Sequence, residues 1–454
     1  MKYRIEKDSI GQIKVDANKY WGAQTQRSLE NFVIGNELMP IDLVHAIVTI
    51  KMAAAQANLF FKKMDHKKAQ MVINTGKVIL THQLDNQFPL KIWQTGSGTQ
   101  TNMNVNEVIA NYVNIQTKKD LLHPNDDVNM SQSSNDVFPT AIHLAVVKSI
   151  NAILIPKINS LITSFKKLEN KFKKVIKIGR THLQDATPIL LSQEISGWRE
   201  SLENCKKQIM NTLVSLYELP LGGTAVGTGL NAPKGFDRKA INYLAQLYRL
   251  PFRPMINKFN GLAFKERVAS THGQLKILAT TLYKIANDVR FLGSGPRAGI
   301  GELILPANEP GSSIMPGKIN PTQCEAMMMV CTQVMGNDVT VTFAAGQGNF
   351  ELNTFMPLIA YDVLWSTRIL GDAIHSFQTK CIDGIQANLS NIQNNLKQSL
   401  MLVTALSPKI GYAKATEIAK YAYKNNTTLK AAALKLKFVN EVEFDKLVDA
   451  KKMI

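Results

Sequence analysis

The chain has 454 residues, of which 45% are hydrophobic and 19% are charged. A chain of this length and composition forms a folded protein with two or three domains and a sizeable buried core. Its formal net charge is +18 at pH 7, but the lysines occur throughout and lack the basic stripe with interleaved aromatic residues that nucleic-acid binding requires. We therefore predict no nucleic-acid partner.

The N-terminus, the cysteines and the histidines limit the compartment and the cofactors. Residues 1–8 lack the apolar core of a signal peptide, and no uninterrupted run of about 18 apolar residues is present, so we expect a cytoplasmic protein with no membrane partner. The 4 cysteines form no CxxC pair, and the 8 histidines form neither an HExxH motif nor a cluster with cysteine. The sequence thus predicts reduced thiols, no metal and no cofactor.

The first part of the chain, to about residue 134, is predicted to contain short helices with irregular connections. Beyond it, apolar residues from Val147 to Leu168 recur at spacings of three and four, which predicts a long helix that Pro156 kinks rather than stops. The same spacing from Val268 to Leu292 predicts a second long helix without an internal proline. Both patterns are typical of helices packed lengthwise in a bundle.

Glycine and proline clusters at 219–236 and 293–321 interrupt this helical pattern. Helices are expected to resume at 322–336 and at 358–379. After about residue 385 the predicted elements become shorter.

Breaks at Ser407-Pro408 and Asn425-Asn426 separate these shorter elements and suggest a small C-terminal domain. The sequence therefore predicts a mainly α protein with a central long-helix bundle and three domains, at 1–134, 135–385 and 386–454.

The richest concentration of polar groups lies at 311–325, in the run GSSIMPGKINPTQCE. Its glycines and prolines break any regular helix, so the hydroxyls, the Lys318 ammonium and free backbone N–H groups are expected on a shaped loop suited to an anionic ligand. A phosphate-binding P-loop is excluded, because Ser312 stands where its first glycine is needed and Ile319 where serine or threonine is needed.

This run contains the pattern GSS-x-M-P-x-K-x-N and resembles the signature of the fumarase/aspartase superfamily. The continuation PTQCEA is similar to the class II fumarases within it. Other runs resemble the same superfamily in the same order: QTGSGTQTNMN at 94–104, HPND at 123–126, SQSSND at 131–136, GRTHLQDA at 179–186 and GGTAVGTG at 222–229. The resemblance spans nearly the whole chain.

The resemblance implies a three-domain, mainly helical fumarase/aspartase-like fold whose central bundles associate into a homotetramer, with each active site assembled from three subunits. It also implies reversible hydration of fumarate to (S)-malate, a step of the tricarboxylic acid cycle, with a dicarboxylate as the small-molecule partner. The reaction implied is acid/base catalysis through an aci-carboxylate intermediate, whose charge requires fixed donors.

The resemblance also assigns catalytic roles. Ser312 is expected to be the base at C3 of malate, with its hydroxyl held as an alkoxide by N–H groups and positive charge. Lys318 and Asn320 are expected to stabilise the intermediate. His182, paired with Glu325, is expected to activate water or to protonate the leaving group at C2, since imidazole titrates near neutral pH.

Neutral donors are expected to bind the substrate carboxylates, because hydroxyl, amide and backbone N–H groups add no competing negative charge. Serines among them are also suited to capping the helix expected to begin near Pro139. The expected substrate-binding residues are Ser97, Gly98, Thr99, Ser133, Ser134, Asn135, Thr181, Ser313, Lys318 and Asn320.

His123, Asn125 and Asp126 resemble the superfamily's second, non-catalytic dicarboxylate site. The arginine expected shortly before His123 is missing, so Lys118 or Lys119 would have to replace it. Lysine lacks the planar fork that binds a carboxylate through two hydrogen bonds, and we therefore expect this site to be weak or absent.

Two alternatives stay open at this point. Aspartate ammonia-lyase uses the same loop but expels ammonia; SSN at 133–135 and TQCE at 322–325 favour a fumarase, because aspartases usually have Ser-Thr-Asn and a Val-x-Pro-Glu ending there. The other alternative is a non-catalytic binding or structural protein, against which the intact set of catalytic residues argues.

Overall fold

The computed structural model describes residues 2–454 and is mainly α-helical, as predicted. In chain order the first elements are β1 (Tyr3–Lys7), β2 (Gln12–Asp16), α1 (Ala23–Asn31), α2 (Ile41–Phe60), α3 (His66–Ile79) and α4 (Thr99–Thr117). The middle of the chain forms α5 (Ser134–Ser149), α6 (Ile155–Phe172), β3 (Ile176–Thr181), β4 (Gln184–Leu190), α7 (Leu191–Leu216), β5 (Glu218–Leu219), α8 (Phe236–Tyr248), β6 (Arg253–Pro254), α9 (Lys258–Ala263), α10 (Glu266–Leu292), β7 (Leu303–Ile304), α11 (Thr322–Ala345) and α12 (Met356–Lys380). The last elements are β8 (Gln386–Ala387), α13 (Leu389–Gln398), α14 (Ser407–Ile410), α15 (Tyr412–Lys424), α16 (Leu429–Lys435) and α17 (Glu441–Leu447).

The prediction of short helices before residue 134 is wrong for two elements, since α2 has 20 residues and α4 has 19. The sequence from Ile41 to Phe60 contains no glycine or proline, and most of its side chains are buried all round the helix. A helix buried on every side has no polar face, so its periodicity does not reveal its length.

Both predicted long helices are present. The apolar residues that recur from Val268 to Leu292, here called a seam, are buried along α10. The seam from Val147 to Leu168 runs from α5 through a π-helical turn, Ile150–Leu154, into α6. The turn stands directly before Pro156, which lacks the N–H that a regular helix needs, so the helix changes its hydrogen bonding there but does not stop.

Two helix boundaries differ from the predictions. Helix α5 begins at Ser134, five residues before Pro139, because Ser133 and Asp136 form a capping box at its start. Helix α11 continues to Ala345 instead of ending near Gly336, since nothing surrounds that glycine and one glycine inside a helix is tolerated.

The described chain divides into two compact units, each formed by three stretches of sequence. The first contains the residues up to Pro156, Cys205–Ala279 and Val330–Gly371, and the second contains Lys157–Asn204, Thr280–Met329 and Asp372–Ile454. The strands pair as four small sheets: β1 with β2, β3 with β4 and β7 with β8 are antiparallel, and β5 with β6 is parallel. The three predicted domain boundaries stay a prediction.

A buried polar network links three long helices in the first unit. His272 on α10 bonds through Nδ1 to Asp338 on α11 at 2.9 Å and through Nε2 to Ser366 on α12 at 2.9 Å. Lys276 donates to the other oxygen of Asp338 at 2.5 Å. His272 and Ser366 are fully buried, so this arrangement fixes helix register in the core and is closed to a substrate.

The elements after residue 385 are short, as predicted, and the longest, α15, has 13 residues. They share a small apolar core around Leu406, Ile418 and Ala432. The predicted break at Ser407-Pro408 is the start of α14, where proline is tolerated because the first N–H groups of a helix have no partner within it.

Two helical stretches, Ile41–Phe60 and Ser134–Phe172, are long and apolar enough to cross a membrane by length and composition alone. Within them, 83% and 72% of the most apolar window is buried inside the protein. Burial of this kind is typical of core helices, which pass the same test.

We predict that Gly96→Ala destabilises the first unit. An added Cβ would lie 1.5 Å from the carbonyl oxygen of Thr354, while the Gly96 carbonyl accepts a hydrogen bond from Met356, so the backbone has to shift. Overpacking of this kind costs about 1–3 kcal/mol. Chemical unfolding at fixed protein concentration should show a lower midpoint than for Gly346→Ala, whose added Cβ meets only an ordinary contact of 3.7 Å. Equal midpoints would contradict the prediction.

Candidate active site

In the first unit, three of the predicted substrate-binding hydroxyls form one hydrogen-bonded chain. The hydroxyls of Ser97 and Thr99 lie 2.9 Å apart, and that of Thr99 lies 2.7 Å from the hydroxyl of Ser134. Gly98 stands between them with φ +73° and directly against the ring of Phe138, which would lie 2.1 Å from an added Cβ. Only glycine fits this turn, which brings the N-terminus of α4 against that of α5.

Asp136 joins two of the motifs and was given no role by the sequence analysis. One of its carboxylate oxygens accepts a hydrogen bond from the N–H of Ser133 at 2.9 Å. The other accepts from the N–H groups of Gly222 and Thr224, at 2.8 and 2.9 Å. Asn135 adds a side-chain hydrogen bond to the carbonyl of Ala225 at 2.8 Å. A serine followed three residues later by an acidic residue is a capping-box signal, and it could have identified Asp136.

Behind these hydroxyls lies a second buried group that sequence reasoning missed. The fully buried ammonium of Lys51 donates to the side-chain oxygen of Asn129 at 2.8 Å, and the amides of Asn102 and Asn106 donate to the same oxygen at 3.2 and 3.3 Å. Asn129 in turn donates to the carbonyl of Gln132 at 3.2 Å, which fixes the segment leading to Ser133. The sequence contained a signal for this buried group, since Lys51 is the one charged residue in the apolar stretch 43–60.

Burial lowers the pKa of Lys51 to about 7, and the nearby charge of Asp136 only partly offsets this effect. Burial also raises the pKa of the Asp136 carboxyl, against the opposing backbone hydrogen bonds and Lys51. Both oxygens of Asp136 accept hydrogen bonds from N–H groups, so the geometry accommodates the carboxylate form.

In the second unit, Thr181 and His182 lie at the turn between β3 and β4, and both are exposed. His182 and Leu183 have φ of +56° and +60°, a conformation that residues other than glycine seldom adopt. Strain of this kind persists only where neighbouring contacts hold the backbone in place.

The neighbouring contact is a buried ion pair next to the turn. Arg180 donates two hydrogen bonds to Glu302, at 3.0 and 2.9 Å, and Lys177 lies 3.3 Å from the same carboxylate. Burial disfavours the charged form of Glu302, but the hydrogen bond from Arg180 and the charge of Lys177 outweigh it and hold its pKa below the ordinary value. The strand that carries Thr181 and His182 is thereby anchored.

The Ser312 loop is closed by hydrogen bonds across its neck. The N–H of Gly311 donates to the carbonyl of Lys318 at 2.8 Å, and the side chain of Asn320 donates to the carbonyl of Gly311 at 2.7 Å. A Cβ at Gly311 would lie 2.4 Å from that Lys318 oxygen, so glycine is required there. The loop surrounds an open cleft of about 420 Å³, and Ser313 and Lys318 are exposed.

The hydroxyl oxygen of Ser312 accepts hydrogen bonds from the backbone N–H groups of Ile314 at 3.2 Å and Met315 at 3.0 Å. Two converging N–H groups stabilise negative charge on an oxygen. Both donors belong to the residues that follow Ser313 in the loop.

Glu325 lies exposed in the first turn of α11. Among residues 2–454 of one chain, no hydrogen bond or ion pair joins it to His182. The pairing of His182 with Glu325 stays a prediction. Within one chain, the structure brings together the Ser97, Thr99 and Ser134 hydroxyls but leaves His182 and Glu325 unconnected.

His123 and Asn125 line an open cleft of about 840 Å³ in the first unit. His123 caps the π-helical turn Pro124–Val128, with Nδ1 accepting from the N–H of Asp126 at 3.1 Å. The cleft's lysines are Lys7 and Lys68, and neither Lys118 nor Lys119 is among the residues that line it. The suggested replacement for the missing arginine stays a prediction. Six acidic residues also line the cleft and disfavour a dianion: Glu6, Asp8, Glu107, Asp120, Asp126 and Asp127.

Comparison with known proteins relates the whole chain to one family. Residues 11–336 match the lyase family, and residues 402–454 match the C-terminus of fumarase C. The class II fumarate hydratase of Helicobacter pylori (strain 26695) is 53% identical over 460 residues, covering 100% of this chain and 99% of the relative. That of Bacillus cereus is 53% identical over 458 residues, with the same coverage.

The chain belongs to the class II fumarate hydratase family. A solved class II fumarase from Schistosoma mansoni has a TM-score of 0.97 and 42% identity, covering 100% of this chain and 99% of the other. A fumarate lyase:delta crystallin from Brucella melitensis, solved with bound cobalt, has a TM-score of 0.95 and 40% identity with the same coverage. The resemblance read from the sequence and the mainly α fumarase/aspartase-like fold with a long-helix bundle are thus confirmed. Aspartate ammonia-lyase is not favoured, because the similar relatives are fumarate hydratases.

We predict that Lys51→Met changes how the stability of this fumarate hydratase family member depends on pH. The pKa of Lys51 falls from 10.5 to about 7 on folding, so between these values the unfolded chain binds a proton that the folded chain does not. Wild-type stability should therefore fall, relative to the variant, as the pH is lowered from about 10 to about 7, by up to about 1.4 kcal/mol per pH unit, and the difference should level off below that.

The measurement is the free energy of chemical unfolding across this pH range at fixed protein concentration. The control is Lys77→Met, which removes an exposed lysine of α3. Parallel pH profiles for wild type and Lys51→Met would contradict the prediction. Asn129 keeps the amide hydrogen bonds of Asn102 and Asn106 in the variant, so its oxygen is not left without a partner.

Proposed function

We propose that this protein is a fumarate hydratase that catalyses the reversible hydration of fumarate to (S)-malate in the tricarboxylic acid cycle. The observation that carries the proposal is the position of the Ser312 hydroxyl, which receives two backbone N–H groups in a loop beside Lys318. Membership of the class II fumarate hydratase family supports the same reaction.

When malate is dehydrated to fumarate, Ser312 removes a proton from C3, next to a substrate carboxylate. The C3 proton is weakly acidic, so the alkoxide form of Ser312 is the reactive species, and the N–H groups of Ile314 and Met315 stabilise it. Proton loss places a second negative charge on the adjacent carboxylate, giving the aci-carboxylate. Lys318 and Asn320 stabilise that charge, where one well-placed donor contributes about 3–4 kcal/mol.

His182 acts at C2, where it protonates the departing hydroxyl in dehydration and activates water in hydration. Glu325 orients its imidazole and raises its basicity. In the single chain His182 is exposed at the turn between β3 and β4, where a neighbouring subunit can approach it.

Neutral groups bind the substrate carboxylates. The linked hydroxyls of Ser97, Thr99 and Ser134 form a row of donors at the meeting point of two helix N-termini, whose partial positive charge also favours an anion. The remaining substrate-binding residues proposed are the neutral Gly98, Ser133, Asn135, Thr181, Ser313 and Asn320, together with the charged Lys318. No cofactor takes part, and the dicarboxylate site at His123, Asn125 and Asp126 is weak or absent.

The protein forms a cytoplasmic homotetramer in which three subunits contribute to each active site. Helix α11 supports association, because three exposed apolar side chains lie along one face of it and form a stripe. In this stripe Met329, Val339 and Phe343 are 68%, 71% and 69% exposed in the single chain. Gly336 lies in the same stripe with open space around it, which leaves room for another helix.

The purified protein is expected to consume fumarate in buffer without ammonium and to yield malate. Ultraviolet absorbance follows fumarate, and the product is identified with and without added ammonium. Consumption only with ammonium would indicate aspartase, and no consumption in either buffer would support a non-catalytic protein.

Ser312→Ala should lower turnover on the order of 10²–10⁴-fold, the usual contribution of a positioned base. Unchanged turnover in that variant would refute the role of Ser312, provided that the assembled protein has the same mass as wild type under native conditions.

Mixed tetramers test whether different subunits supply Ser312 and His182. Ser312→Ala and His182→Asn are each expected to be inactive, but co-assembly at equal amounts should restore about a quarter of wild-type activity, because a site with both native residues forms by chance at that frequency. Ser312→Ala mixed with Lys318→Ala is the control, since both residues belong to one loop and should not complement each other. Recovery no greater than in the control would contradict sites shared between subunits.

A further inference from the structure

A cluster of potential metal ligands lies in the first unit, among residues that the proposed reaction does not use. His45 belongs to α2, His82 follows α3, and Asp85 begins the 3-10 turn Asp85–Gln87. One carboxylate oxygen of Asp85 lies 3.0 Å from Nε2 of His45, and the other lies 2.7 Å from Nδ1 of His82. One ligand atom from each residue lies within 4.8 Å of the other two.

From this geometry we propose that His45, His82 and Asp85 bind a divalent transition-metal ion, of which Zn²⁺ is the best fit. Imidazole nitrogens and a carboxylate oxygen are ordinary Zn²⁺ ligands, and ligand atoms on a tetrahedron around Zn²⁺ lie about 3.3 Å apart. One ligand atom from each residue already lies within 4.8 Å of the other two, so small side-chain movements suffice to reach that spacing. Asp85 would exchange its two imidazole hydrogen bonds for a bond to the metal.

The exposure of the cluster suits this ion. The side chain of His45 is 5% exposed and that of Asp85 is 32% exposed, so the cluster reaches from the packed interior to the surface. The side chain of His82 is 63% exposed, which gives the ion an entry path and leaves a coordination position open to water.

The backbone at His82 limits where its ring can lie. His82 has φ +66° and its N–H donates to the carbonyl of Ile79 at 3.0 Å, so the chain turns sharply at the end of α3. This turn places the imidazole beside that of His45, with ring centroids 4.6 Å apart. A bound ion would connect α2 with the segment that follows α3, and it should raise the melting temperature of the protein.

The experiment uses full-length protein freed of metal with a chelator and then titrated with Zn²⁺ or Co²⁺. Calorimetry gives the stoichiometry and affinity, the visible spectrum of Co²⁺ reports a tetrahedral or octahedral site, and thermal unfolding reports stabilisation. We expect one ion per chain, a tetrahedral Co²⁺ spectrum, and a melting temperature that rises with metal.

His82→Gly is the decisive variant, because glycine suits a left-handed backbone and the fold should survive. It should weaken binding at least about tenfold and abolish the rise in melting temperature, and Asp85→Asn should do the same. His66→Gln, which removes an exposed histidine of α3 outside the cluster, should bind like wild type. Absence of binding in wild type, or equal binding by wild type and His82→Gly, would overturn the proposal.

Discussion

The organisation of the first unit depends on one buried carboxylate. Asp136 accepts three backbone hydrogen bonds, from Ser133, Gly222 and Thr224, and so connects two segments nearly 90 residues apart. Removing a carboxylate from water costs several kcal/mol, whereas each hydrogen bond to a charged group contributes about 1.5–3 kcal/mol. The carboxylate is therefore tolerated only while all these donors are in place, and the loops that supply them are held in one arrangement.

The second unit also contains a buried carboxylate held by several donors. Glu302 is fully buried, and Arg180 and Lys177 surround its carboxylate beside the turn that carries His182. In both units the acidic group lies one layer behind the residues proposed to face the substrate, and N–H groups or cations occupy its oxygens. A dicarboxylate approaching the proposed site thus meets hydroxyls and imidazole, while the acids needed to shape the loops are already neutralised by their partners.

The sequence predicted features whose cause is local. The seams of α6 and α10 follow from apolar spacing over a few turns, and the Ser312 loop follows from its glycines and prolines. The length of α2 was missed, because a helix buried on all sides shows no periodicity. Helix α5 was predicted to begin too late, because Pro139 was given more weight than the capping box at Ser133.

Other features were missed because folding alone brings their members together. Asp136 and the loop at 222–224 are far apart in sequence, as are Arg180 and Glu302, which are 122 residues apart. No motif marks such pairs. The cluster of His45, His82 and Asp85 is likewise unmarked by any motif, because His45 meets the other two only through the packing of α2 beside the end of α3. Spacing rules detect metal sites within one element and not sites assembled from several.

The proposed chemistry also gives the proposed subunit association a role. Charge stabilisation of an aci-carboxylate is effective where water is excluded, yet His182, Lys318 and Glu325 are all exposed in one chain. Glu325 lies four residues before Met329, at the start of the exposed stripe of α11. A partner subunit that covers this apolar stripe would also cover Glu325 at its end. In the proposed tetramer, association and desolvation of the catalytic groups are therefore one event, and burial of the apolar stripe supplies the free energy that excludes water from the active site.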